Sequence, residues 1–138
     1  MWRQIEISLA PRKRGCHLIT DEIMRQLPAL PRIGLMNIFI KHTSAALSIN
    51  ENADPDVRVD MAAILDRMVR EGESYYTHIY EGDDDMPAHA KCSLIGASLT
   101  IPISNRKMAL GTWQGIYLCE FRNHGGSRHI TVTITGED

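Results

Sequence analysis

Six histidines among 138 residues carry the first chemical signal, because imidazole exchanges protons near neutral pH and is the commonest metal ligand. Three sit in settings that invite use. His42 closes an apolar run in Lys41-His42-Thr43-Ser44, and His78 lies in Tyr75-Tyr76-Thr77-His78-Ile79-Tyr80. His89 falls in an expected helix, where Cys92 and Ser93 share its face. No H-x-x-x-H or H-E-x-x-H pair exists, so a metal site has to be assembled from distant segments. The expected pocket joins His42, His78 and His89 with Glu51 nearby. It holds a divalent metal (Mg²⁺, Zn²⁺ or Mn²⁺) through the three imidazoles, or works by acid–base chemistry on a small phosphorylated metabolite. His17, His124 and His129 are scattered and receive no role.

A second group of polar residues runs from His42 to Asp56. A straight strand separates His42 from Glu51 by about 30 Å. Either the chain bends between them, or the two meet across a subunit boundary. Asp54 is assigned to helix capping, whereas Glu51 falls on the apolar side of the alternation and is expected to be a ligand or base. In Arg122-Asn123-His124-Gly125-Gly126-Ser127-Arg128-His129, two glycines let amides approach a ligand and arginine matches phosphate oxygens bidentately. The same Gly-Gly-Ser also suits an ordinary hairpin loop. Lys91 is a further candidate cation, and Asp85 joins Glu51 as a candidate to hold a metal. In Gly111-Thr112-Trp113-Gln114-Gly115 the tryptophan is a core anchor or a pocket wall, with Thr112 and Gln114 on the opposite face.

The elements that must position these groups follow from periodicity. Alternation predicts strands over Gln4–Leu9, Ser98–Ile103, Thr112–Arg122 and His129–Thr135, and Gly34–Ile40 suits a central strand. A short helix is expected from Thr20 to about Leu27, ended by Pro28. Asp54 as N-cap and Pro55 at the first position open a helix to Val69, with Val57, Met61, Ile64, Leu65 and Met68 as its buried stripe. A third helix is expected from about Met86 to Ile95. Seven or so strands with three helices and no βαβ rhythm give an α+β, mostly antiparallel fold in one domain, residues 1–138.

Composition narrows the function. With 43% hydrophobic residues and a net charge of −2, the chain has no basic footprint for nucleic acid. No apolar run approaches a membrane span, and no secretory leader is visible. Three cysteines without a C-x-x-C pair fit free thiols in a reducing compartment, so a cytoplasmic location is expected. Phosphate-loop glycine motifs are absent.

Taken together, several stretches resemble the YjbQ family, also called secondary thiamine-phosphate synthase enzymes. They are Gly15-Cys16-His17-Leu18-Ile19-Thr20-Asp21-Glu22-Ile23, His42-Thr43-Ser44-Ala45, Asn50-Glu51-Asn52-Ala53-Asp54-Pro55-Asp56, Tyr80-Glu81-Gly82-Asp83-Asp84-Asp85-Met86-Pro87-Ala88-His89, Leu110-Gly111-Thr112-Trp113-Gln114-Gly115 and His124-Gly125-Gly126-Ser127-Arg128. The resemblance implies an antiparallel β-sandwich with about three helices, assembled as a homotrimer with polar pockets near subunit boundaries. It implies a transferase, with thiamine-phosphate synthesis as a weak or secondary activity, or else a non-catalytic trimer that binds a metal or a phosphorylated metabolite. Catalytic positions carried over are His42, Glu51, His78 and His89. Those expected to bind substrate or anion are Thr43, Ser44, Asn50, Ser93, Thr112, Gln114 and Arg128. Many members carry Asn where this chain has Asp85, and His where it has Pro87.

Overall fold

A computed structural model describes residues 1–138. Along the chain run β1 (Trp2–Leu9), β2 (Gly15–Leu18), α1 (Thr20–Met24), β3 (Ile33–Ile40), β4 (Ala45–Glu51), α2 (Pro55–Met68), α3 (Asp85–Ile95), β5 (Ser98–Ser104), β6 (Lys107–Met108), β7 (Gln114–Glu120) and β8 (Arg128–Glu137). Every strand pairing is antiparallel. One sheet has the order β1-β8-β3-β5-β6 and the other β2-β7-β4. The expected α+β sandwich with three helices is what forms.

Period-two alternation turns Ile7, Leu9, Met36, Ile38, Ile40, Ile101, Ile103, Ile130, Val132 and Ile134 to one side of the larger sheet. There they meet Ala45, Leu47, Ile116 and Leu118 from the smaller one in a single core, closed at one end by Ile19 and Ile23 of the α1 region. The smaller sheet is covered on its other face as well. Ala46, Tyr117, Cys119 and Phe121 pack there against Leu65 of α2 and Ala88 of α3. The layers are therefore sheet, sheet, helices. β7, buried from Gly115 to Glu120, is the middle strand of the middle layer. No helix is long and apolar enough to cross a membrane.

α2 differs from expectation in its buried face. Asp54 caps it, its carboxylate accepting from the Asp56 amide at 2.9 Å, but of the predicted stripe only Leu65 is fully buried, while Ile64 and Met68 are exposed. The helix is turned so that Asp66 can pair with both Arg14 and the buried Lys91. Charge pairing, which hydrophobic periodicity does not see, sets its rotation.

Gly34 on β3 sits opposite Gly136 on β8. A Cβ on Gly34 would collide with the Thr135 carbonyl, and one on Gly136 with that of Ile33. Backbone rather than a side-chain tip stands in the way, so Gly34→Ala is expected to destabilise the fold by about 1–3 kcal/mol. A urea midpoint equal to that of the parent protein would refute this.

Candidate functional site

The links between α2, α3 and β7 build the most chemically distinctive cluster. Asp85 opens α3 and is buried, where the positive end of the helix dipole suits a carboxylate. Its Oδ2 lies 2.7 Å from His78 Nε2 and 3.0 Å from His89 Nε2, and its Oδ1 accepts from Arg122 Nη1 at 2.6 Å. Asp85 and His89 are one helical turn apart, and His78 comes from the long connection between α2 and α3. Ligand atoms of His78, Asp85 and His89 lie within 4.8 Å of one another. Beside them a cleft of about 260 Å³ is lined by Tyr76, His78, Ile79 and Met86, among others.

The outer bonds set the tautomers. His89 Nδ1 lies 2.8 Å from the Thr43 carbonyl oxygen, which can only accept, so Nδ1 carries the proton. In a neutral His89 ring, Nε2 then presents a lone pair to Asp85, acceptor against acceptor. The contact is favourable only when Nε2 is also protonated or when both atoms face a cation. Arg122 is fixed in turn by Asp84 Oδ2 at 2.8 Å and by the Glu81 carbonyl. Burial pushes the Asp85 carboxyl up, but hydrogen bonds and charge from His78, His89 and Arg122 outweigh it. They hold its pKa below the ordinary 3.8.

His42 does not join this cluster. Its Nε2 accepts from the His129 amide at 2.8 Å, its Nδ1 lies 3.4 Å from Arg128 Nη1, and its ring stacks on that of His129. With that lone pair taken, the neutral ring has none to give a metal. Of the three imidazoles expected to meet, the structure brings together two, and the group between them is Asp85. Burial, the Arg128 charge and His129 push the His42 pKa below the ordinary 6.5, outweighing the opposite pull of Glu120. Because the unfolded chain then binds the proton more readily, the stability His42 contributes is present above about pH 6.5 and is lost as pH falls through its folded value. A His42→Gln variant, whose amide oxygen can still accept from His129, is expected to lose that part of the fall in urea midpoint between about pH 7 and 5. An unchanged slope would refute the assignment.

Arg128, expected as the anion clamp, is buried at the start of β8. Its Nε and Nη2 bond both Glu120 oxygens at 2.7 and 2.6 Å, and Nη2 also reaches Ser44 Oγ at 2.9 Å. A guanidinium so matched has no fork left for phosphate. Lys91, the other candidate cation, is likewise committed to Asp66. Ser44 belongs to this buried arrangement, while Thr43 contributes its carbonyl to His89 and Ser93 is exposed on α3.

The remaining expected residues gather elsewhere. β4 runs straight from Ala45 to Glu51, roughly 20 Å, so within the chain Asn50 and Glu51 lie at the far end from His42. Glu51 is not idle there: its carboxylate accepts from the Asp54 amide at 3.2 Å and so supports the turn into α2. Asn50 Oδ1 accepts from the Glu51 amide. Asn52 bonds the carbonyls of Thr112 and Gln114, and the Gln114 side chain folds back on the Gly111 amide. Arg122 is the residue sequence reasoning left out of the site, and Asp85, a candidate metal holder beside Glu51, was not paired there with His89. The signal for Asp85 was its place four residues before His89, on the N-terminal side.

A family model described as UPF0047 protein YjbQ-like matches residues 4–137. The chain is 50% identical over 139 residues to the UPF0047 protein YjbQ of Escherichia coli O157:H7, spanning 99% of this chain and 100% of that one. To a UPF0047 protein of Synechocystis sp. it is 46% identical over 106 residues, 77% of this chain and 72% of the relative. Among solved structures, a YbjQ-like protein of unknown function from Sulfolobus solfataricus P2 superposes with a TM-score of 0.85 at 27% identity, covering 99% of both chains. An uncharacterized yjbq/upf0047 family protein from Clostridium acetobutylicum gives 0.79 at 37% identity, covering 95% of this chain and 99% of that one.

Proposed function

The chain belongs to the UPF0047 YjbQ-like family, and from that premise we propose that it is an enzyme centred on His78, Asp85 and His89, which together bind a divalent metal ion. One observation carries this reading: His89 donates from Nδ1 to the Thr43 carbonyl and points its Nε2 at Asp85 Oδ2, 3.0 Å away, where His78 Nε2 also converges. That is the outer-bond arrangement by which a protein orients an imidazole for a metal. Two imidazoles and one carboxylate suit Zn²⁺ or Mn²⁺ better than Mg²⁺, which prefers oxygen ligands.

A divalent ion held by one carboxylate leaves a net positive centre with open positions, and these favour an anionic oxygen of the substrate. A small phosphorylated metabolite, the class the family resemblance implies, fits that demand. The metal would polarise the phosphoryl or carbonyl oxygen. With Nε2 on the metal, His78, half-exposed beside the cleft, would keep an Nδ1–H to donate to an oxygen of what enters. Thiamine-phosphate synthesis is one such transfer and belongs to this proposal.

A homotrimer acting in the cytoplasm completes it. The outward face of the larger sheet carries Trp2, Ile33, Leu35 and Phe39, all exposed, and a neighbouring copy could also bring its own far-end polar residues to the cluster. The competing role, a metal- or metabolite-binding protein without turnover, is favoured by the full engagement of both Asp85 oxygens.

The test is a thermal melt of metal-stripped protein with Zn²⁺, Mn²⁺ or Mg²⁺. Saturating metal at about 100 times its Kd adds about 2.7 kcal/mol to stability. The gain is expected with Zn²⁺ or Mn²⁺ and is expected to vanish in His89→Ala. No shift with any ion would refute the metal site. Incubation of the metal-loaded protein with a metabolite extract, followed by mass spectrometry, then separates conversion from retention.

A further inference from the structure

Away from this cluster, Cys16 on β2 and Cys119 on β7 stand directly opposite each other in the antiparallel register, their sulfurs 4.0 Å apart. Opposed residues of such a pair have Cα atoms about 4.5–5.5 Å apart, within the span of about 4.4–6.8 Å that a disulfide bridges. β2 is a four-residue edge strand with β7 as its one neighbour, so it can shift to close the remaining gap. The two thiols differ in access. Cys119 is buried among Ala46, Leu65 and Phe121. Cys16 opens on a cleft of about 350 Å³ whose charged walls are Lys13, Arg14 and Arg58, with no carboxylate among them. One nitrogen of Arg58, Nη1, is buried without a hydrogen-bond partner.

We propose that Cys16 and Cys119 form a dithiol that hydroperoxides oxidise to an intramolecular disulfide between β2 and β7. Cys16 is the attacking sulfur. Its hydrogen bond with Cys119, helped by the charges of Arg58 and Lys91, outweighs burial and the opposing charge of Asp66 and favours its thiolate, while the same bond and burial push Cys119 up. The thiolate attacks one peroxide oxygen, forming an S–O bond as the O–O bond breaks, and the alkoxide or hydroxide that leaves takes a proton from water. Cys16 is then a neutral sulfenic acid, which removes the anion that had kept Cys119 protonated. The Cys119 sulfur gives up its proton and attacks Cys16. The S–S bond forms, the S–O bond breaks, and hydroxide leaves as water with that proton. The peroxide is reduced by two electrons and the thiol pair oxidised by two.

The third thiol, Cys92, serves as the internal control. Its Sγ donates to the Ala45 carbonyl at 3.2 Å, and burial raises its pKa. The experiment treats reduced full-length protein with one equivalent of hydrogen peroxide, followed by thiol counting and peptide mapping. Free thiols are expected to fall from the three of the reduced chain to one, with Cys16 joined to Cys119, and to return with dithiothreitol. Cys92→Ser is expected to react as the parent does. Cys16→Ser is expected to lose thiols at least about tenfold more slowly, and Cys119→Ser to accumulate a dimedone-reactive sulfenic acid at Cys16. Retention of three thiols by the parent protein, or a disulfide that includes Cys92, overturns the proposal, whatever the variants do.

Discussion

Asp85→Ala is expected to abolish saturable zinc binding, weakening it by at least about 100-fold, and to leave the chain folded but less stable. Residues one shell further out typically change metal affinity 10- to 100-fold, and Asp85 would itself be a ligand. Its removal also takes the acceptor from His78 and from one branch of Arg122, which costs about 1–3 kcal/mol for groups left short of partners. The sharper variant is Asp85→Asn. The introduced carboxamide could accept from Arg122 with its oxygen and donate its NH₂ to the His89 Nε2 lone pair, while exposed His78 changes tautomer. The acceptor-against-acceptor contact would disappear, so Asp85→Asn is expected to melt no lower than the metal-free parent while binding zinc far more weakly. Calorimetric titration with zinc, paired with melts in chelator, reads both quantities. Parent-like zinc affinity in Asp85→Ala would remove the centre from consideration.

How much of this was legible beforehand depends on the range of the determining contact. Strands β1, β3, β5 and β8 announced themselves because each keeps one face on a common core. β2 did not, since four half-buried residues carry too short a pattern, and β6 is a two-residue edge. Within the cluster, His78 and His89 stood out by residue type. Asp85 lies on the same helix face as His89, and looking one turn backward as well as forward would have paired them. His42 and Arg128 were misplaced for a different reason. Arg128 is engaged by Glu120, eight residues away along the chain but on the middle strand of another sheet, and His42 by the backbone amide of His129. Sequence shows the turn between β7 and β8, and it does not show that an arginine at its end points inward. Glu51 was hard to place for a similar reason, because its partner within the chain is the backbone amide of Asp54 rather than another side chain.

That buried pair makes the largest stability effect expected anywhere in the chain. Glu120 is fully buried and Arg128 nearly so, with the two joined by parallel hydrogen bonds. Glu120→Ala would strand the guanidinium beside Ser44 and His42 with no anion in reach, and removing one partner of such a pair typically costs about 3–5 kcal/mol. For a domain of this size the whole margin is about 5–15 kcal/mol, so Glu120→Ala is expected to lose about a fifth or more of it. The carboxylate has local duties too: Oε2 accepts from the Arg122 amide, and the Gly125 backbone packs so closely that a Cβ there would overlap it. Glu120→Gln, which keeps the shape and one acceptor, is expected to lose less. The double variant Glu120→Met with Arg128→Met is expected to recover most of the stability, because two apolar chains of similar volume avoid the desolvation cost that the ion pair only offsets. Urea unfolding of the parent and these three variants reads the order of stability. A double variant no more stable than Glu120→Ala would mean that Arg128 serves Ser44 and His42 more than it serves Glu120.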